Sequence, residues 1–175
     1  MIRLRLTETL LRLPENARSL IQTAVLGVAA GLSAVAFLFL TNLMFSRTFL
    51  KFAGGSRPTF AVGSFVVIMG ASIVVSALLH FVAPEAAGSG VPQAKTAYWK
   101  EMGHMSPRTT LTKFVTGVLS IGGGNSLGRE GPSIYVGSGV ASNAAGLFGL
   151  GRRERRSASV VGAAAGLAAA FNTPL

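Results

Sequence analysis

The chain has 175 residues, of which 50% are hydrophobic and only 13% are charged, about half the roughly 25% charged residues of a typical soluble domain. The net charge of +10 comes from basic residues clustered beside apolar runs rather than along one face, which argues against nucleic-acid binding. Cysteine and aspartate are absent and only two histidines are present, so we expect neither disulfides nor a metal or organic cofactor.

The first 18 residues mix arginine and glutamate with leucine, a pattern typical of an amphipathic helix on a membrane surface. They lack the short apolar core and small-residue cleavage site of a signal peptide. We therefore expect an amphipathic cytoplasmic segment over residues 1–18 and a partial transmembrane domain over residues 19–175.

Two long uncharged or nearly uncharged runs follow, over residues 19–46 and 59–82. Each is long enough to cross a bilayer as a tilted helix. Gly27 and Gly31 form a GxxxG pair in the first run, which predicts a packing face for a neighbouring helix.

The later apolar segments are shorter and are interrupted by glycine and proline at residues 88–92 and 128–132. Gly162 and Gly166 repeat the GxxxG spacing near the end of the chain. Paired broken helices are the best sequence indication of a binding site at the middle of a bilayer. The pattern therefore predicts an all-α polytopic membrane protein with broken helices. The predicted segments cover residues 93–99, 109–121, 131–151 and, after a polar loop at 152–156, 157–171.

The first interruption reads Gly88-Ser89-Gly90-Val91-Pro92. Pro92 suits the first turn of a helix, because the N–H that it lacks would have no helical partner there. Gly88 and Gly90 permit positive φ and a close approach of the backbone to a bound group, and Ser89 offers a hydroxyl donor. Since free N–H groups at a helix start attract negative charge, this interruption predicts an anion site.

The second interruption, Gly128-Arg129-Glu130-Gly131-Pro132, repeats this arrangement and adds a carboxylate. Ionisable residues inside a membrane are rare and usually functional, and Glu130 can take an anion's place at a helix start and act as a gate. Two other interpretations stay open, a side chain that reaches headgroup water and an ordinary cap of the first helical turn. Arg129 could bind substrate, although pairing with backbone carbonyls explains it equally well.

No phosphate-binding loop of the G-x-x-x-x-G-K-[ST] type is present. His80 and His104 lack a carboxylate pattern that would make either a general base. We therefore do not expect an enzyme.

The interruptions resemble two elements of the CLC family of chloride channels and proton-coupled chloride transporters. The first matches the family's GSGxP element, and the second matches its GREGP element in residue type throughout. The glycine- and alanine-rich stretch at 162–175 is also similar to a segment of the family. The order and spacing of the three elements agree with the family from roughly residue 20 to residue 175.

The resemblance implies a CLC-like broken-helix fold, in which this chain is most of the first of two inverted repeats. Ser89 would coordinate the central anion, and Glu130 would be the gate and the external proton acceptor. Serine at position 89 and proline at position 132 imply chloride rather than nitrate or fluoride. The other residues of the two elements would form the anion site (Gly88, Gly90, Gly131 and Pro132) and the selectivity motif (Gly128 and Arg129).

Two departures from the family pattern affect these expectations. Gln93 stands where many members carry glutamate, which removes a charge near the inner mouth but leaves the expected ligands unchanged. The chain ends at Leu175, before the family's internal proton glutamate and the second-half residues that complete the anion site. We therefore expect a fragment of a longer protein, which the resemblance implies is a homodimer with a pore in each subunit.

The resemblance implies chloride transport across a lipid bilayer, with exchange for protons as the first expectation. A passive voltage- or pH-gated chloride channel stays open because Glu130 is compatible with both. A more distant alternative is a non-transporting membrane scaffold assembled through the GxxxG faces. The arginine clusters at residues 1–18 and 152–156 are expected to face the cytoplasm, in a multi-pass protein of the plasma (inner) membrane.

Overall fold

The computed structural model describes residues 14–173, without the side chains of residues 15 and 16. This part of the chain is helical and contains no strand. A 3₁₀ turn at Pro84–Ala86 lies between the third and fourth of its seven α-helices. The helices are α1 (Glu15–Arg47), α2 (Phe49–Ala53), α3 (Arg57–Phe81), α4 (Val91–Lys100), α5 (Pro107–Gly122), α6 (Glu130–Leu147) and α7 (Arg152–Phe171).

The predicted amphipathic segment at 1–18 lies mostly outside the described residues. Its last residues belong to α1, which begins at Glu15 and continues without interruption into the first apolar run. The predicted boundary after residue 18 therefore lies inside α1 and does not coincide with a break in the helix.

The stretches Ala17–Ala53 and Arg57–Phe81 are long and apolar enough to cross a membrane. Helix α3 has few contacts with the rest of the chain, and Val62, Phe65 and Val66 are each more than 60% exposed. Such an apolar, exposed surface would be unusual in a soluble monomer, whereas it suits lipid or other apolar helices. The first two predicted spans are therefore confirmed as helices of spanning length.

The first two α-helices after residue 84 are short, as the glycine and proline interruptions predicted. Helix α4 has only 10 residues and α5 has 16, both less than the roughly 20 needed to span a bilayer. Pro92 is in the first turn of α4, and Pro107 begins α5 after Ser106. Both prolines lie where the missing N–H leaves no helical hydrogen bond unmade.

Helices α6 and α7 form the closest helix pair, because glycines let their backbones approach. A Cβ atom added at Gly162 would overlap the carbonyl of Gly137, and one added at Gly166 would overlap the carbonyl of Ser133. This is the packing expected of a GxxxG face, so the prediction for Gly162 and Gly166 is confirmed.

The other GxxxG pair behaves differently at its two positions. A Cβ added at Gly27 would lie 3.5 Å from Cγ1 of Val161 on α7, in ordinary contact, whereas one added at Gly31 would meet no atom within 4 Å. The predicted packing face is therefore wrong for Gly31 within the described residues, because the spacing alone does not say which glycine faces a neighbour.

Residues 152–156, predicted as a polar loop, are the first turns of α7. The carboxylate of Glu154 accepts a hydrogen bond of 2.7 Å from the N–H of Gly151 and so satisfies a helix-start donor. Arginine has a high helix propensity, and Arg156 lies over the ring of Tyr98 at 4.2 Å. The charge run therefore starts the helix instead of preceding it.

Candidate anion-binding site

The loop before α4 adopts a conformation that glycine favours. Gly88 has φ of 86° and Gly90 has φ of 103°, both in the left-handed region. The side chain of Gln93 closes the loop: its Oε1 accepts a hydrogen bond of 3.0 Å from the N–H of Gly90, and its Nε2 donates to the carbonyl of Ala87. The N–H of Gly90 therefore has a protein partner, and Gly90 contributes close approach rather than a donor.

Lys113 on α5 holds the same loop from the other side. Its side chain is only 4% exposed, and its Nζ donates a hydrogen bond of 2.7 Å to the carbonyl of Ala86 and another to the carbonyl of Gly88. The ammonium group also lies 5.9 Å from the centre of the Tyr135 ring. Lys113 is not among the site residues expected from the sequence, although it is the one charged residue in the apolar segment 109–121.

The two interruptions are in direct contact, although 41 positions separate Ser89 from Glu130 in the chain (130 − 89). A Cβ added at Gly131 would overlap the carbonyl of Ser89. One added at Gly90 would come within 2.9 Å of both the carbonyl oxygen of Gly131 and the Cβ of Tyr135. Glycine is therefore required on both sides of this contact, and the starts of α4 and α6 lie against each other.

The remaining residues of the first interruption surround this contact. The side chains of Ser89 and Pro92 are exposed in the isolated chain, as is Gly88, whereas Gly90 is buried. Ser89 therefore presents its side chain at the surface of the chain while its backbone is fixed against Gly131.

Glu130 is the first residue of α6 and its side chain is half-buried. Its carboxylate turns back along the chain, because a Cβ added at Gly128 would lie 2.5 Å from Oε2. Arg129 is the residue before the helix and is exposed. Pro132 lies in the first turn of α6 and packs near Gly117 of α5.

Residues 124–128 have the spacing G-x-S-x-G that occurs in the nucleophile elbow of serine hydrolases. That elbow joins a strand to a helix, whereas here Gly124 follows the end of α5 and Ser126 is exposed in the connection to α6. The context of a nucleophile elbow is therefore missing at this position.

The electrostatic character of the site follows from its parts. Helix starts carry partial positive charge from their unpaired N–H groups, and two of them converge here. Lys113 on α5, although distant in the sequence, adds a positive charge: its Nζ donates to the carbonyl of Gly88, the residue before Ser89. The arrangement favours a small anion over a cation or a neutral solute.

Residues 69–175, more than half of the chain, match a family described as voltage gated chloride channel. The chain is 37% identical over 163 residues to the H(+)/Cl(-) exchange transporter ClcA of Yersinia pseudotuberculosis, covering 89% of this chain and 33% of that protein. It is 39% identical over 127 residues to the ClcA exchange transporter of Vibrio cholerae, covering 65% and 26% respectively. The chain thus spans about a third or less of the curated relatives that it matches.

Among solved structures, the fold is similar to that of a slow cyanobacterial Cl-/H+ antiporter, with a TM-score of 0.77 and 29% sequence identity. The match covers 88% of this chain and 37% of that one. It confirms the all-α, CLC-like architecture predicted from the two interruptions, as part of an integral multi-pass membrane protein. With the family match over residues 69–175, the chain belongs to the family of voltage gated chloride channels, the CLC family.

Proposed function

We propose that the full-length protein containing this chain exchanges chloride for protons across a membrane, and that this chain contributes part of its anion pathway. The relatives named above are H(+)/Cl(-) exchange transporters, and the similar structure is that of a Cl-/H+ antiporter. Chloride and protons are thus the proposed transported species.

The observation that carries the proposal is the contact between Ser89 and Gly131. It brings the starts of α4 and α6 together, so that two positive helix ends act on the same point. In this arrangement the hydroxyl of Ser89 donates to the anion, with backbone N–H groups near Gly131 completing its coordination. Residues outside this chain would complete the other side of the pathway.

Glu130 is the proposed gate. An ionised carboxylate at the start of α6 is an anion at a site that favours anions, so it competes with chloride. Protonation removes the charge, weakens the hold of the helix start on the side chain, and lets chloride take its place. Alternating occupation by the carboxylate and by chloride couples the two fluxes.

A passive chloride channel is the second candidate, and the matched family's description as voltage gated chloride channel favours it. In that case Glu130 opens and closes the pathway without carrying a proton across.

We also propose that the full-length protein is a homodimer with one pathway in each subunit. It would lie in the plasma (inner) membrane, with the arginines at the start of α7 on the cytoplasmic side.

The test uses the full-length protein in proteoliposomes, with chloride efflux and external pH recorded together. An exchanger uses an imposed chloride gradient to drive protons uphill, and a channel moves chloride with no accompanying pH change. No chloride movement in liposomes that contain folded protein would contradict both candidates and favour a non-transporting scaffold.

A further inference from the structure

The carbonyl oxygens of residues 86–89, in the loop before α4, are each in contact with another part of the chain. Those of Ala86 and Gly88 accept hydrogen bonds from Lys113, and that of Ala87 accepts one from Gln93. The carbonyl of Ser89 packs against Gly131. Carbonyl oxygens carry partial negative charge and would repel a nearby anion, and the ammonium group of Lys113 offsets that charge at two of them.

The charge of Lys113 has no counter-ion in the described part of the chain. Its hydrogen-bond partners there are neutral carbonyls, and none of the carboxylates between residues 17 and 173 forms an ion pair with it. The Tyr135 ring at 5.9 Å offers only a weak cation–π contact. A buried cation without an ion pair is costly, and an anion bound nearby would reduce that cost.

Gln93 closes the loop without adding a negative charge to it. Its Oε1 accepts a hydrogen bond from the Gly90 N–H, and its Nε2 donates to the carbonyl of Ala87. Ala87 lies between Ala86 and Gly88, whose carbonyls are bound by Lys113. A glutamate at this position would keep the bond to the N–H and bring a negative charge close to the ammonium group. The neutral amide performs the structural part of that task without supplying the counter-charge.

We propose that Lys113 is a positioning residue of the anion site, which offsets the partial negative charge of two loop carbonyls and supplies a fixed positive charge whose counter-ion is the bound anion. Gln93 keeps that charge available. The inference rests on the proposed function, since it assumes that the anion which binds at Ser89 is chloride.

The test measures chloride binding to the purified full-length protein by isothermal titration calorimetry, with melting temperature as the check on folding. Lys113→Met removes the charge and the two hydrogen bonds, Lys113→Arg keeps the charge, and Gln93→Glu adds a carboxylate without touching the lysine. Lys100→Met, at the exposed end of α4, is the matched control for loss of a lysine.

We expect Lys113→Met to raise the chloride Kd about tenfold or more, the order expected from losing a nearby charge at partial screening. Lys113→Arg should retain most of the affinity, and Lys100→Met should bind as the unmodified protein does. If Lys113→Met does not fold, the chloride affinity of Gln93→Glu tests the inference. We expect its chloride Kd to rise about threefold or more, because the added carboxylate neutralises the charge of Lys113.

Two results would overturn the inference while the unmodified protein binds and transports chloride. One is a folded Lys113→Met variant that binds chloride within threefold of the unmodified Kd; the other is an equal loss in Lys113→Met and Lys113→Arg, which would leave only a packing role. Absence of chloride binding and transport in the unmodified protein would instead contradict the proposed function itself.

Discussion

The carbonyl of Ser89 packs directly on Gly131, at the point where α4 and α6 each begin. The two residues lie in different interruptions of the membrane segments and share no local structure. Because a side chain at position 131 would overlap that carbonyl, the distance between the two helix starts depends on the absence of a Cβ atom.

Replacing Gly131 with alanine should therefore push the two helix starts apart. Overpacking at a tight contact costs about 1–3 kcal/mol, and here the displaced groups are the proposed anion ligands. We expect a lower melting temperature and a large loss of chloride flux in proteoliposomes. Gly70→Ala on α3, where an added Cβ meets nothing within 4 Å, is the control and should retain both; equal flux in the two variants would contradict the proposed contact.

Ser89→Ala removes the hydroxyl that is expected to donate to the anion. A hydrogen bond to a charged group contributes about 1.5–3 kcal/mol, so the chloride Kd should rise by roughly one to two orders of magnitude. Because Ser89 is exposed in the isolated chain, the melting temperature should change little. Calorimetric titration checks the result against Ser46→Ala, an exposed serine at the end of α1; unchanged chloride affinity would exclude the hydroxyl as a ligand.

Glu130→Gln keeps the shape of the side chain but can no longer ionise or carry a proton. We expect chloride flux to continue while chloride-driven proton movement stops, with the pH dependence of flux lost. Simultaneous chloride and pH electrodes on proteoliposomes make the comparison. Glu101→Gln, an exposed glutamate just after α4, should leave coupling intact, and proton pumping that survives in Glu130→Gln would show that this carboxylate is not the proton acceptor.

The two GxxxG pairs should respond differently to alanine. Gly166→Ala would place a methyl group against the carbonyl of Ser133 on α6, with a cost of about 1–3 kcal/mol and a lower melting temperature. Gly31→Ala meets no atom within 4 Å, so the higher helix propensity of alanine should leave the melting temperature unchanged or slightly raised. Equal destabilisation of both variants would mean that Gly31 also packs against a helix, one outside the described residues.

The positions of the broken helices could be predicted from the sequence because glycine and proline act locally. Gly88, Gly90 and Pro92 end one segment and begin the next through their own backbone preferences. The uncharged runs likewise predicted the two long helices, since length and hydropathy decide whether a helix can span a bilayer.

The contacts between distant segments were not accessible in the same way. Lys113 resembles any lysine near a membrane helix end until α5 is placed beside the loop at 86–88, which alone brings its Nζ to two carbonyls. Gly31 has the same spacing to its partner glycine as Gly166, but a Cβ added there meets no atom within 4 Å in the described part of the chain. The charge of the arginines at 152–156 predicts a loop, whereas arginine favours a helix and Glu154 provides the cap.

The most direct test of the anion site is to locate bromide, a heavier substitute for chloride, by anomalous diffraction in crystals of the full-length protein. We predict a bromide peak within hydrogen-bonding distance of the Ser89 hydroxyl and beside the contact with Gly131, and its loss in Ser89→Ala crystals. Bromide bound elsewhere along the pathway, with none at Ser89 in the unmodified protein, would contradict it.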